Sequence, residues 1–363
     1  MTIHVTSTPD KDVRQSFCGC SKATDNRQYF EMRNPFRLDA LGIVTLIGAD
    51  EMNMALGRLS PSLVSEPFPL IGSYVVAGNK FMSPITGFHL FNITDGIVAT
   101  DLSAWFTRRL LAHNLTYSTS TILISHSTQL GRPRPRRGQA IAWLIVCMLP
   151  CLLLAVFAVL MRDFWGVANA LAMLISVLVR KIAVMENCAA LDRNAEKARA
   201  TSEEMVKAFL TLPNGLSATL ITSRGIIINC LLTEPRPLRP KLYSWICGIG
   251  WIGFATHVVS LGMAALVNQI ISVTLLIAGT ILVAKGVGED DSEIGSSLIM
   301  RQIDSIQGDF RAVAYARLGL SPTEEESMLA WNLFPHKSNA KWWQKYRDCQ
   351  LNGFYHWETL LAK

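Results

Sequence analysis

Residues Tyr243 to Leu266 read YSWICGIGWIGFATHVVSLGMAAL, 24 consecutive positions without an Asp, Glu, Lys or Arg. A hydrocarbon core roughly 30 Å thick takes about 20 helical residues at 1.5 Å each, so this stretch is long enough to cross it. Gln139 to Met161 is a second such run, of 23 residues. Two shorter runs, Phe164 to Val179 and Gln269 to Ala284, are 16 residues each and follow the long ones after only two residues. A chain that has crossed and stays apolar must return, because lipid offers no partner to unpaired backbone groups. The expectation is a membrane all-α fold of four transmembrane helices in two hairpins, residues 139–179 and 243–284, with a small cytosolic α+β portion. A re-entrant or interfacial course for the short runs is the alternative.

The whole chain is 363 residues with 50% hydrophobic and 17% charged residues and a mean hydropathy of +0.27. Soluble domains run nearer 25% charged, and disordered chains are more polar still. With the four runs set aside, the remaining 284 residues hold all 62 charged ones, about 22%. The low average therefore describes membrane helices joined to ordinary cytosolic structure.

Fifteen Lys and Arg residues flank one side of the proposed spans, among them Arg132, Arg134, Arg136, Arg180, Arg224 and Lys285, against Arg162 alone on the other. The positive-inside rule then puts both termini and the central loop in the cytosol. The triplets beginning at Asn92 and Asn114 argue weakly for the opposite sidedness and are expected to stay unmodified. No signal peptide is read at Met1 to Asp10. The eight cysteines do not form a disulfide framework, and Cys18-Gly-Cys20 lacks the neighbours that would complete a zinc site.

The segments outside the spans divide as residues 1–35, a flexible tail; 36–138, a mixed α/β region ending in a basic linker; 180–242, a helix followed by a β-meander; and 285–363, a helical tail. Phe68 to Val98 suggests short strands and turns, and Asp101 is placed to cap a helix carrying Leu102, Trp105, Phe106 and Leu110. Asn214-Gly215 marks a hairpin. With Arg224-Gly225 it predicts three strands, Phe209–Leu212, Leu216–Thr222 and Ile226–Leu232. Ser321-Pro-Thr-Glu324 is a capping box. The helix after Asn339 puts Trp342, Tyr346 and Cys349 on one face, for the protein's own core or for the membrane interface. The arginines of 131–138 suit anionic headgroups, with no aromatic platform for nucleic acid.

Gly248-Ile-Gly-Trp-Ile-Gly253 spells a dinucleotide fingerprint, but a real one lies between a strand and a helix, so no cofactor is expected. The same residues begin a stripe, Gly250, Gly253, His257, Ser260 and Ala264, that suits close helix approach and interhelical hydrogen bonds. Asn169, Ala172 and Ser176 form a facing stripe. His257 is the single ionisable residue inside the spans, which makes it a functional candidate; a neutral imidazole bonded to Asn169 or to a backbone carbonyl is the plainer reading. No metal or catalytic set is recognised, and adjacent Asp50 and Glu51 are expected to be solvated.

Asp163-Phe-Trp-Gly166, Arg224-Gly225 ahead of Cys230, Tyr315-Ala-Arg317, Glu324 to Trp331, and Trp342-Trp343 with Tyr346 together resemble a group of multi-pass membrane proteins of filamentous fungi. The resemblance covers most of residues 139 to 350, and it implies membrane location without implying an activity. Beside the lipid bilayer, a cytosolic protein partner or a second copy of the chain is expected, and no nucleic acid. Three functions remain open: a non-catalytic scaffold or accessory subunit, a membrane enzyme acting at the cytosolic face, and an oligomeric channel or transporter.

Overall fold

The computed structural model describes residues 49–60, 68–113, 115, 120–127, 137–287, 292–303 and 311–351, with the backbone alone for 137–148 and Ile303. The N-terminal tail, Cys18 and Cys20, Asn114 and Thr116 of the second triplet, and residues 131–136 of the basic linker lie outside the described residues. In chain order the elements are α1 (Ala49–Gly57), α2 (Tyr74–Ala77), a 3-10 turn (Lys80–Met82), β1 (His89–Asn92), β2 (Ile97–Ala99), α3 (Ala104–Ala112) and β3 (Ser120–His126). Then come α4 (Arg137–Leu160), α5 (Phe164–Thr201), β4 (Met205–Thr211), β5 (Ser217–Ser223) and α6 (Arg224–Ile226), which runs on into a π-helical turn (Ile227–Leu231). The chain continues through α7 (Pro240–Met263), α8 (Leu266–Ala284), β6 (Glu293–Ile294), β7 (Leu298–Ile303), α9 (Arg311–Arg317), α10 (Pro322–Ala330) and α11 (Ala340–Leu351).

Helices α5, α7 and α8 are each long and apolar enough to cross a membrane. α5 runs on past Arg180, in line with the helix read at the start of residues 180–242. The helix continues through the Ala-, Glu- and Arg-rich stretch to Thr201, 38 residues in all, about 57 Å at 1.5 Å per residue. Its first half lies among α4, α7 and α8, and its second half, through Ala183, Leu191, Ala195 and Ala198, enters the main core beneath a β-sheet.

Outside its long helices the chain is α+β as expected, but the sheet is far larger than the three-stranded meander foreseen: it has seven strands in the order β2-β1-β4-β5-β3-β7-β6. β3 and β5 are parallel, with Ser120 opposite Ala218, and the remaining pairs are antiparallel. Alternation along the strands serves two cores. Ile122, Ile124, Val206, Ala208, Leu210 and Leu220 face the core that holds α3 and α5. Leu123, Phe209 and Ile221 face α9 to α11. A strand buried on both faces reads as a nearly continuous apolar run, so its period of two is hard to see in sequence.

The Asn214-Gly215 hairpin forms, with Gly215 at φ 78° and Thr211 opposite Ser217. The expected third strand does not. Ser223 Oγ accepts from Ile226 N, which starts a helical turn instead. Gly225 is pressed so closely against α5 that an added Cβ would lie 2.1 Å from the Ala198 carbonyl oxygen. Ile226, Ile227, Cys230 and Leu231 are thereby buried, and packing overrides the β-preference of three consecutive isoleucines. The tail is likewise not wholly helical. Leu298 and Met300 bury alternate positions of β7, after a turn in which Gly295 has φ 57°.

Asp101 does not cap α3. Ser103 occupies the cap position without a side-chain bond, and the Ala104 N–H instead donates to Glu234 Oε2 at 2.8 Å. Leu102, Trp105, Phe106 and Leu110 are buried as the spacing requires. The Ser321 capping box is complete. Trp342 stacks on Tyr346 at 5.4 Å and meets Phe334 and Tyr315, so the aromatic face of α11 packs on the protein's own core. Residues 68–82 hold turns and short helices in place of strands, while Asp50 and Glu51 are exposed on α1. Asn92 is buried in β1, and its amide nitrogen donates to Asp95 Oδ2 at 2.7 Å.

Candidate intramembrane site

The two hairpins are joined at their tips by Asp163, which stands at the N-cap of α5. One carboxylate oxygen accepts from Gly166 N at 3.0 Å. The other accepts from Ala265 N at 2.7 Å and Asn268 Nδ2 at 2.6 Å, at the start of α8. Partial burial raises the Asp163 pKa, but the hydrogen bonds from Asn268, Ala265, Gly166 and Trp165 outweigh it and hold the carboxyl below its ordinary value. Gly166 leaves room for this clasp, since an added Cβ would lie 2.5 Å from Asn268 Nδ2. Two turns deeper, Asn169 Nδ2 donates to Ser272 Oγ of α8 at 2.8 Å.

The small-residue stripe of α7 does face inward. Gly250, Gly253, His257 and Ser260 are buried, and an added Cβ on Gly253 would meet Ile175 Cγ2 at 3.0 Å and the Ala172 carbonyl oxygen at 3.9 Å. Ala264, also buried, follows the helix, and its carbonyl accepts from Gln269 Nε2 at 2.9 Å. The expected bonding of His257 is not found. Its side chain is 5% exposed, and neither ring nitrogen meets a partner among the described residues. Asn169 is engaged with Ser272 instead. Ser260 donates to the Thr256 carbonyl at 2.6 Å within its own helix. Ser176 lines a narrow crevice with Ser73, Gly72 and Arg180.

That crevice exposes a feature the sequence reading missed. Residues 67 to 79 carry no charge, and from Phe68 to Asn79 they wedge among α5, α7 and α8. Pro69 lies against Gly279, where an added Cβ would stand 2.4 Å from the Pro69 carbonyl oxygen. Ile71 N donates to Thr280 Oγ1 at 3.1 Å. Ala77 lies against Gly250, with its Cβ 3.1 Å from the position an added Cβ would take. Tyr74 packs on Phe254 with ring centroids 5.5 Å apart. Tyr243 OH donates to Asn79 Oδ1 at 2.6 Å and accepts from Asn187 Nδ2 at 3.1 Å. Irregular backbone beside apolar helices needs such burial and pairing. The signal in the sequence was a 13-residue charge-free run, a length at which wedges and core helices occur and spans do not.

The wedge leaves the bundle through a buried arginine. Arg108 of α3 is 1% exposed. Its guanidinium donates to the carbonyl oxygens of Asn53, Ser83, Ala104 and Lys80 and to Asn53 Oδ1, at 2.7 to 3.2 Å. Burial lowers its pKa and the charge of Glu234 raises it, with the net shift downward.

A groove of about 360 Å³ between α10 and α11 is lined by Glu325, Glu326, Leu329, Lys337, Trp343 and Arg347. Arg347 holds Glu325 there at 2.6 and 2.8 Å, and Tyr346 OH donates to the same carboxylate. Among the described residues no three His, Cys, Asp or Glu side chains gather as metal ligands. No protein family, curated protein or solved structure matches the chain.

Proposed function

We propose that this chain is a four-span membrane protein whose α+β domain is carried in the cytosol as a non-catalytic scaffold or accessory subunit. Strand adjacency supports four crossings. β3 precedes α4, β5 follows α5 and β7 follows α8, yet the three strands are neighbours in one sheet. Strands that share a sheet lie on one side of a membrane, so the chain between each pair must cross an even number of times. If α5 crosses, α4 crosses too, and its 24 residues suffice. The 15 to 1 distribution of Lys and Arg then makes the sheet side cytosolic.

The observation that carries the scaffold reading is how the polar groups of the bundle are used. Asp163, Asn169, Asn268, Gln269, Ser272 and Thr280 bond to neighbouring helices, helix ends or the wedge. They act as fasteners for packing. In the groove between α10 and α11, the one strongly held carboxylate is neutralised by Arg347, which suits a structural ion pair better than acid–base chemistry. Isolation of the full chain from its native membrane after reversible crosslinking tests this reading. A stoichiometric protein companion is expected, and saturable solute flux across proteoliposomes holding the chain alone would overturn it.

A further inference from the structure

Asp163 ties the two hairpin tips at one level, which fixes a common origin for depth. Twenty residues at 1.5 Å each, the thickness of the hydrocarbon core, lead from Asp163 along α5 to Ala183 and from Ala264 back along α7 to Ser244. Side-chain exposure agrees with that edge. On α7 the outward stripe Leu242, Trp245, Ile249, Ile252, Val259 and Met263 is exposed, and on α5 exposed apolar side chains continue past Arg180 to Ile182 and Met185. The Asn187 to Tyr243 hydrogen bond sets the two helices in register just beyond the same edge.

Immediately outside that edge the chain approaches α7 as Arg236-Pro-Leu-Arg-Pro-Lys241. Arg236, Leu238, Arg239 and Lys241 are exposed, and Trp245, one turn further in, is 75% exposed. The Tyr243 to Asn79 bond brings a fourth exposed cation, Lys80, to the same level from the end of the wedge. Among the described residues opposing charge is sparse. Glu186 lies 4.0 Å from Arg239, whose side chain remains 72% exposed, and Glu234 is turned inward onto the Ala104 N–H.

Cations that alternate with exposed Leu and Trp at a membrane edge match an anionic lipid surface, in which side chains of the second kind enter the acyl region and the first kind meet headgroups. We propose that Lys80, Arg236, Arg239 and Lys241 form a binding surface for anionic phospholipid of the cytosolic leaflet, anchored by Leu238, Leu242 and Trp245. The proposal rests on the four-span reading and adds a lipid class to it. Each such cation is worth up to about fivefold in local lipid partition.

The test uses the full chain in proteoliposomes of phosphatidylcholine with a minority of phosphatidylglycerol, carrying a benzophenone amino acid at Trp245 or at Ile252, and identifies the lipid adducts by mass spectrometry. Adducts at Trp245 enriched in phosphatidylglycerol at least roughly threefold over its bulk share are expected. The enrichment should fall to the bulk share when Lys80, Arg236, Arg239 and Lys241 are replaced by Gln, and should persist in Lys337→Gln/Lys341→Gln. Adducts at Trp245 in bulk proportion would overturn the proposal, as would their absence while Ile252 still yields adducts. Loss of adducts at Ile252 as well would instead refute the membrane reading beneath it.

Discussion

Gly279→Ala probes the wedge directly. The new Cβ would stand 2.4 Å from the Pro69 carbonyl oxygen and 2.8 Å from Phe68 Cβ, about 1 Å inside ordinary contact, and main chain cannot swing aside as a side-chain tip can. Overpacking of this kind costs about 1–3 kcal/mol. A retreat of the wedge would also stretch the Ile71 to Thr280 bond, worth about 0.6–2 kcal/mol among membrane helices. Against this, Ala gains about 0.8–1 kcal/mol of helix propensity over Gly. The net expectation is a loss of about 1–2 kcal/mol. Gly262→Ala is the matched control, because nothing lies within 4 Å of its added Cβ and only the propensity gain remains. Thermal unfolding in lipid nanodiscs should therefore separate the two variants by about 2–3 kcal/mol. Hydrogen exchange at the Ile71 amide should accelerate in Gly279→Ala alone. Equal melting temperatures and equal Ile71 protection would refute the contact between the wedge and α8.

Arg108→Leu leaves five acceptors without their donor and should cost about 3–5 kcal/mol, read as lowered thermal stability, with Arg108→Lys intermediate. Asp163→Ala removes a helix cap, worth about 0.5–2 kcal/mol, together with the bonds to Ala265 and Asn268; it should destabilise more than Asn169→Leu, which loses the bond to Ser272 and a weak one to Met173 Sδ from a side chain whose oxygen has no partner among the described residues. The Glu324 carboxyl is raised by burial, but the Ser321 N–H and Lys207 outweigh this and hold it below its ordinary value. A depressed folded-state pKa stabilises above the unfolded value of about 4.3 and loses that contribution as pH falls through the folded value. Wild type should accordingly lose more stability than Glu324→Gln between pH 6 and about 3. A parallel pH response of the two proteins would sink that assignment.

What could be read from sequence was the local part of the structure. The charge-free runs, the Asn214-Gly215 turn, the Ser321 capping box and the inward stripe from Gly250 to Ser260 each depend on neighbours within a few residues. The seven-stranded sheet depends on pairing Ser120 with Ala218 and Thr121 with Ile303, across spans that separate them in sequence. Isoleucines 226 to 228 have the composition of a strand, but α5, through Ala198 against Gly225, dictates their conformation. The wedge is not legible in sequence because its polar partner, Thr280, lies 209 residues from Ile71. His257 is buried, but neither Asn169 nor a backbone carbonyl meets its ring nitrogens among the described residues, because Asn169 is held by Ser272.

Four crossings with the whole sheet on one side are tested most directly by sided thiol labelling. Single cysteines at Thr86, Arg162, Asn214 and Lys337, in a background lacking the eight native ones, would be exposed to an impermeant maleimide in sealed vesicles of known orientation. Thr86→Cys, Asn214→Cys and Lys337→Cys should label from the cytosolic side only, and Arg162→Cys from the opposite side only. Labelling of Thr86→Cys and Asn214→Cys from opposite sides, or of Arg162→Cys from the cytosolic side, would contradict the account.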